Sequence, residues 1–520
     1  MPLSARLLRL TAGLLAAATV SLAAACGGSG GDPSADPAAL VPARAGFYVE
    51  GNFKPGEDVE ELVKKLSGED DPGGALKRLI EKEGRENDRS FKYSDDVEPW
   101  LGDRAGLFLL SLRAGSDDDP PVAVVFPTKD ADKAKEAFEK RLRKGDEGEK
   151  PQVVERTHRD TKYLVDTSDD EGIAIVDDYA VFGSDEAIKG AIDAREGESL
   201  AESSEYDKAR SAVPDDEVGF LYVRLSQLFS QLGPQGAAVR QALSGVGETF
   251  ALGIDGDANA IRLATAGLGV SGAAGPTGPG KVFRELPSSA WAAAGTADLG
   301  GQIERMIRQF AQLGALGGQS PEQLLDRLEA QLGIDPRRDL AAWLGDVGFF
   351  VFGDTPAELG GGLIATTKDA AATRRSIPRL ARFLQRTAGM RARPLRRSGV
   401  DTGVTLTPRQ LPLPIHIALT RDDRFVVAVT DPALAQAVQR TRPLAETPEF
   451  KDAEGELGEG LEAQVFVNFE AIRSLVDATG AGSDKNVAQI RKALDRLTTL
   501  VAGTKRQGDT SRGRLVIGVK

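Results

Sequence analysis

Short apolar runs rich in β-branched and aromatic residues recur along the chain, among them GLFLLSL from Gly106, PVAVVFP from Pro121, GIAIVDDYAVFG from Gly172, VGFLYVRL from Val218 and ETFALGIDGDANAIRLATAGL from Glu248. Polar turns of two to four residues separate several of them, the spacing of antiparallel hairpins rather than of crossover connections. Between the runs, apolar residues fall at helical intervals. KDADKAKEAFEKRL follows Thr128, DEAIKGAID follows Ser184 and DPALAQAVQ follows Thr430, so each hydroxyl stands where a helix N-cap is expected, with Pro432 in a tolerated first turn. The pattern predicts an α+β fold, a mostly antiparallel sheet with helices packed on one face.

The pattern is also written twice. PWLGDRAGLFL from Pro99 recurs as AWLGDVGFFVF from Ala342, and Thr128, Lys129, Asp130 recur as Thr367, Lys368, Asp369. IAIVDDYAVFGSDEAIKGAI from Ile173 matches IALTRDDRFVVAVTDPALAQAV from Ile417, and LAESSEY from Leu200 matches LAETPEF from Leu444. The offsets of 243, 239, 245 where Asp177 and Asp178 fall on Asp422 and Asp423, and 244 drift as loop insertions between fixed elements would make them. Two homologous tandem lobes are expected, 40–270 and 281–520, joined by the Gly/Pro-rich linker 271–280.

The N-terminus is different in kind. Arg6 and Arg9 precede an apolar run from Leu10 to Val20, and Ala23, Ala24 and Ala25 lead to Cys26, the only cysteine. That is the layout of a secretory signal peptide over 1–25. The small residues before Cys26 and the Gly27, Gly28, Ser29, Gly30, Gly31 stretch after it resemble the lipobox of bacterial lipoproteins, which implies a diacylglyceryl thioether on Cys26. Residues 26–39 then read as the lipidated cysteine and a flexible tether. A plain signal peptide with an incidental cysteine, or an uncleaved anchor helix, are the other readings of the same segment. No other stretch has 18 uninterrupted apolar residues.

Composition narrows the chemistry. The 520 residues hold 65 Lys or Arg against 78 Asp or Glu, a net charge of −13, which argues against nucleic-acid binding. One thiol supports neither an internal disulfide nor a cysteine zinc site. GPTGPGKV from Gly275 nearly spells a phosphate loop, but Pro276 and Pro279 remove two N–H donors and Val282 replaces the magnesium-binding hydroxyl. GLGVSG from Gly267 fits GxGxxG with no helix after it. Asp255, Asp257 and Asn259 open like a calcium loop, yet Ala260 and Ala266 stand where glycine and glutamate are needed, so a hairpin turn is expected. His158 reads as a solvated loop histidine and His416 as a strand histidine. No catalytic residue, metal site or cofactor follows from these residues.

Charge is unevenly spread. Residues 281–520 carry 33 Lys or Arg against 28 Asp or Glu, net +5, which leaves 32 against 50, net −18, for residues 1–280. Nine arginines lie between Asp369 and Asp401 with no acidic residue among them. On a helix Arg375, Arg379, Arg382 and Arg386 share one face, opposite Ile377, Leu380 and Leu384, with Pro378 able to kink or restart it. Three readings stand for this face: it pairs with the acidic first lobe, it contacts anionic headgroups of a membrane, or it is solvated.

The PARAGFYVEGN start at Pro42, the PWLGD block and FPTKDADKAKEAF from Phe126 resemble a family of large secreted actinobacterial proteins of lipoprotein type with two tandem repeats, classified only as a domain of unknown function. The resemblance implies location and fold, not an activity. The expectation is a non-enzymatic binding or carrier protein at the cell envelope, lipid-anchored on the extracytoplasmic face of the membrane, with a lipid, glycan or peptide as ligand. A structural or protein-interaction module of the cell surface is the alternative, and a carboxylate-dependent hydrolase a third.

Overall fold

The computed structural model describes residues 35–54, 56–67, 77–78, 81–82, 85, 91–111, 120–144, 151–213, 218–230, 246–270, 278–315, 329–330, 333, 335–409, 413–439, 442–478 and 485–520. The chain divides into two compact units, Met1–Ser271 with Gly508–Arg512, and Gly272–Gln507 with Gly513–Lys520. Both combine helices with antiparallel sheet, so the fold is α+β.

The first unit has strands β1 (Phe47–Asn52), β2 (Arg104–Leu109), β3 (Val122–Pro127), β4 (Val153–His158), β5 (Thr161–Asp166), β6 (Glu171–Val176), β7 (Tyr179–Ser184), β8 (Gly219–Arg224), β9 (Thr249–Asp257) and β10 (Ala260–Leu268). They lie in the order β4-β5-β6-β7-β3-β2-β1-β8-β9-β10, every pair antiparallel. Helix α1 (Glu57–Ser67) follows β1, α2 (Ala131–Lys144) follows β3 and α3 (Asp185–Glu196) follows β7.

Helices cover both faces of this sheet, which corrects the one-face expectation. Val124, Phe126 and Ala180 pack with Ala134 and Phe138 of α2, and Ile173 and Phe182 with Phe138 and Leu142. Their alternate neighbours Ala123, Val125, Ala174, Val176 and Val181 pack with Ala187, Ile188, Ala191 and Ile192 of α3 on the other side. The physical reason was in the strands: VAVVFP and EGIAIV are apolar almost without interruption, as strands buried on both faces are, rather than alternating. Burying a side chain such as Ile188 or Ile192 contributes about 1.5–3 kcal/mol.

The second unit runs through β11 (Ala290–Thr296), helix α4 (Leu299–Ala315), β12 (Leu344–Phe352), β13 (Gly360–Thr367), α5 (Ala370–Ala388), β14 (Arg391–Pro394), β15 (Val400–Thr407), β16 (Ile415–Thr420), β17 (Arg424–Val429), α6 (Asp431–Val438), β18 (Val465–Asn468), β19 (Leu497–Gln507) and β20 (Thr510–Val519). Its strand order is β14-β15-β16-β17-β13-β12-β11-β18-β19-β20. Ala365, Ile417, Leu419 and Phe425 pack with Ile377 and Ala381 of α5. The alternate positions Ala418, Val426 and Ala428 are buried on the face that carries Ala433, Leu434 and Ala437 of α6.

Local signals set the ends. Ser184 and Thr430 accept from the N–H groups of Ala187 and Ala433, as N-caps do. Thr128 does not cap α2. Its hydroxyl donates to the Asp178 carbonyl at 3.1 Å, and the Asp130 carboxylate takes the Lys133 N–H instead. Helix α5 is one helix from Ala370 to Ala388 with Pro378 inside it, and Gly389 closes it in the left-handed region at φ 61°. Within the expected tether, Pro37–Leu40 forms a turn capped by Asp36 that buries Ala38 and Leu40, so residues 37–39 are packed rather than a flexible spacer. Gly280, placed in the linker by sequence, is the first residue of a short helix, Gly280–Arg284.

Candidate functional site

The second unit sets three polar residues side by side across neighbouring strands. Register places Arg393 of β14, Thr405 of β15 and His416 of β16 side by side. His416 is 3% exposed; its Nδ1 is 3.0 Å from Thr405 Oγ1, while its Nε2 has no hydrogen-bond partner and lies 3.6 Å from Oδ1 of Asp431 at the start of α6. Arg397 pairs with the same carboxylate at 3.3 Å. Burial lowers the His416 pKa, Arg397 lowers it further, and Asp431 only partly opposes them. The buried imidazole and the Asp431 carboxylate thus face each other without a hydrogen bond between them. The sequence read His416 as a strand histidine, and that is where it lies. Thr405 and Asp431 were missed, because the residues meet only through strand register and the helix following β17.

At the corresponding helix start in the first unit, Asp185 of α3 is fully engaged. It accepts from Tyr163 Oη at 2.8 Å, Arg156 at 2.6 Å and Lys189 at 2.7 Å. Burial would raise this carboxyl, but Lys189 and Tyr163 outweigh it and hold the pKa down.

A second cluster belongs to the first unit. Glu50 on β1 is 5% exposed, accepts from Tyr48 Oη at 3.0 Å and Arg104 at 2.8 Å, and lies 3.7 Å from Arg210, whose guanidinium stacks 4.4 Å from the Phe220 ring centre. Burial raises the Glu50 pKa against the pull of Arg210 and Arg104. A glutamate inside the apolar FYVEGN run was the available sequence signal for it.

The four arginines of α5 separate into two kinds. Arg379 binds the buried Asp339 at 2.7 Å, and burial of that carboxylate is outweighed by Arg379 and Arg338, which keep its pKa low. Arg375, Arg382 and Arg386 are exposed and have no carboxylate partner among the described residues. Of the four arginines expected to share one face, three are exposed without a carboxylate partner among the described residues, and Arg379 pairs within its own unit.

A family model described as "Protein of unknown function (DUF3352)" matches residues 10–518. The chain belongs to this DUF3352 family. No curated protein matches it. Among solved structures, one described as "Structure of crystal form I of TP0453" is similar at 10% identity and a TM-score of 0.24, over 46% of this chain and 82% of that one. A score of that size does not establish a shared fold.

Other candidates in this DUF3352 chain resolve into local structure. His158 ends β4 with Nε2 2.8 Å from Asp193, which also takes Arg159 at 2.6 Å, so it is a strand residue in a hydrogen-bonded network rather than a solvated loop residue. Asp257 accepts from the N–H groups of Asn259 and Ala260 and pairs with Arg262 at 2.6 Å, the hairpin turn expected of that segment. Among the described residues no group of three or more His, Cys, Asp or Glu is placed to hold a metal, and no helix is long and apolar enough to cross a membrane. Cys26, the segment 1–25 expected to be a signal peptide, and residues 271–277 lie outside the described residues.

Proposed function

We propose that this protein is an extracytoplasmic lipoprotein, held on the outer face of the cell membrane by a diacylglyceryl group on Cys26, with two homologous tandem units that act by binding rather than by catalysis. The observation that carries this reading is the position of Cys26. It follows an apolar leader and stands ten residues before Asp36, the cap of the Pro37–Leu40 turn. Ten residues reach at most about 35 Å when extended, enough to hold a folded unit near a bilayer without burying it. Two or three acyl chains, at about 0.8 kcal/mol per buried CH₂, make such attachment effectively permanent.

Homology of the units is supported by equivalent bonds at equivalent positions. Trp100 Nε1 donates to the Asp96 carbonyl at 2.7 Å, and Trp343 Nε1 to the Asp339 carbonyl at 2.8 Å. Thr128 and Thr367 donate to the Asp178 and Asp423 carbonyls, each at 3.1 Å. Asp185, Asp193, Asp257, Asp298 and Asp339 are each driven upward by burial and brought down by a partner in their own unit, the signature of structural ion pairs. Metabolic labelling with an alkyne fatty acid tests the anchor: the native chain carries label and Cys26→Ser carries none. An unlabelled native chain overturns it.

A further inference from the structure

We propose that the outer face of α5 is a docking surface for anionic phospholipid headgroups, with Arg375, Arg382 and Arg386 as its contact residues. The helix turns Thr373, Ser376, Ile377 and Ala381 inward onto the sheet and leaves these three arginines exposed on the opposite side. They lie along a line about 16 Å long, at 1.5 Å per residue. No carboxylate stands between Asp369 and Asp401 in sequence, and the neighbouring Arg374, Arg379 and Arg397 already use Asp401, Asp339 and Asp431.

The long helix of the first unit shows how an ordinary solvated face differs. On α2 the lysines answer nearby acids, Lys133 with Asp130 at 3.2 Å and Lys135 with Glu139 at 3.8 Å. The α5 stripe has the cations without the acids, so its complement lies outside the helix. Three long guanidinium side chains spaced in a row along one helix face match a plane of mobile headgroups better than a single bound phosphate. The inference rests on the Cys26 anchor for bringing that plane within reach.

The test uses the full protein extracted from its own membrane and reconstituted on vesicles of phosphatidylcholine alone or with about a third phosphatidylglycerol. Flotation reads attachment, and phenylglyoxal modification followed by mass spectrometry reads each arginine. The expected result is flotation on both vesicle types, with Arg375, Arg382 and Arg386 modified several-fold more slowly on the anionic ones. The protection disappears at high salt, and Arg391 and Arg393 of β14 remain unchanged as controls. At roughly fivefold per basic residue near an anionic surface, R375Q/R382Q/R386Q lowers the capture of unanchored Cys26→Ser protein by anionic vesicles about a hundredfold. Flotation on both vesicle types with equal modification rates overturns the docking surface and leaves the anchor standing. Failure to float on phosphatidylcholine overturns the anchor, and the anionic arm still reads the arginines. Slow modification on both vesicle types that is relieved by salt assigns the stripe to an acidic protein surface and overturns the lipid assignment.

Discussion

The same brace is built twice with different materials. In the first unit the carbonyl of Asp96 takes Trp100 Nε1, and its carboxylate, 21% exposed, pairs with Lys140 of α2 at 3.0 Å. In the second, the carbonyl of Asp339 takes Trp343, and its carboxylate, 1% exposed, pairs with Arg379 of α5 at 2.7 Å and Arg338 at 3.3 Å. An exposed lysine pair in water contributes little, whereas a buried carboxylate held by two guanidinium groups is costly to leave unpaired. Position within the fold therefore does not fix the energy of a contact; burial and the choice of cation do.

The largest effect that can break this comparison is Trp343→Ala, which empties the space beside Phe425 and frees the Asp339 carbonyl. It is expected to cost about 3–5 kcal/mol, read as faster hydrogen exchange in β13 and β17 while β3 and β7 are unchanged. Trp100→Ala is expected to do the reverse; exchange spreading through all four strands in either variant would contradict independent cores. Next is Arg379→Gln, which strips the main partner from Asp339 and is expected to cost about 2–3 kcal/mol in chemical denaturation of the second unit, less than for a fully buried pair because Arg379 itself is partly exposed. Lys140→Gln in the first unit is expected to cost less than about 1 kcal/mol. Equal costs for the two would remove the distinction.

The two buried titratable clusters sharpen it by pH. His416 has a folded pKa below its ordinary 6.5, so the unfolded chain takes the proton first. Stability of the second unit should fall as pH drops below about 6.5, until the folded pKa is reached, and His416→Asn should remove that slope. Glu50 has a folded pKa above its ordinary 4.5, so its contribution has the opposite sign. It favours the first unit at pH below 4.5 and is lost as pH rises through the folded value, and Glu50→Gln should flatten that dependence. Matching slopes in the two units, measured by thermal unfolding followed with exchange, would contradict the assignment of one cluster to each.

Much of this architecture was legible because local chemistry writes it. The recurring WLGD block landed both tryptophans on the same kind of bond, and Ser184 and Thr430 cap the helices they precede. The number of covered faces is not legible in Val122–Pro127 and Glu171–Val176, because an uninterrupted apolar run does not show which neighbour each alternate residue meets. Arg379 was assigned to the surface because helical periodicity shows which side a residue faces and not how far a guanidinium reaches toward a carboxylate 40 positions away. The Thr405, His416 and Asp431 row and the Glu50 cluster depend on strand pairing across tens or more of residues, which spacing along the chain does not encode.

The proposed anchor is a single residue, Cys26. Mass spectrometry of the N-terminal peptide from protein extracted out of its own membrane tests this most directly. The expected species begins at Cys26 and carries the mass of a diacylglyceryl thioether. A peptide beginning elsewhere, or an unmodified Cys26 in membrane-bound protein, would contradict it.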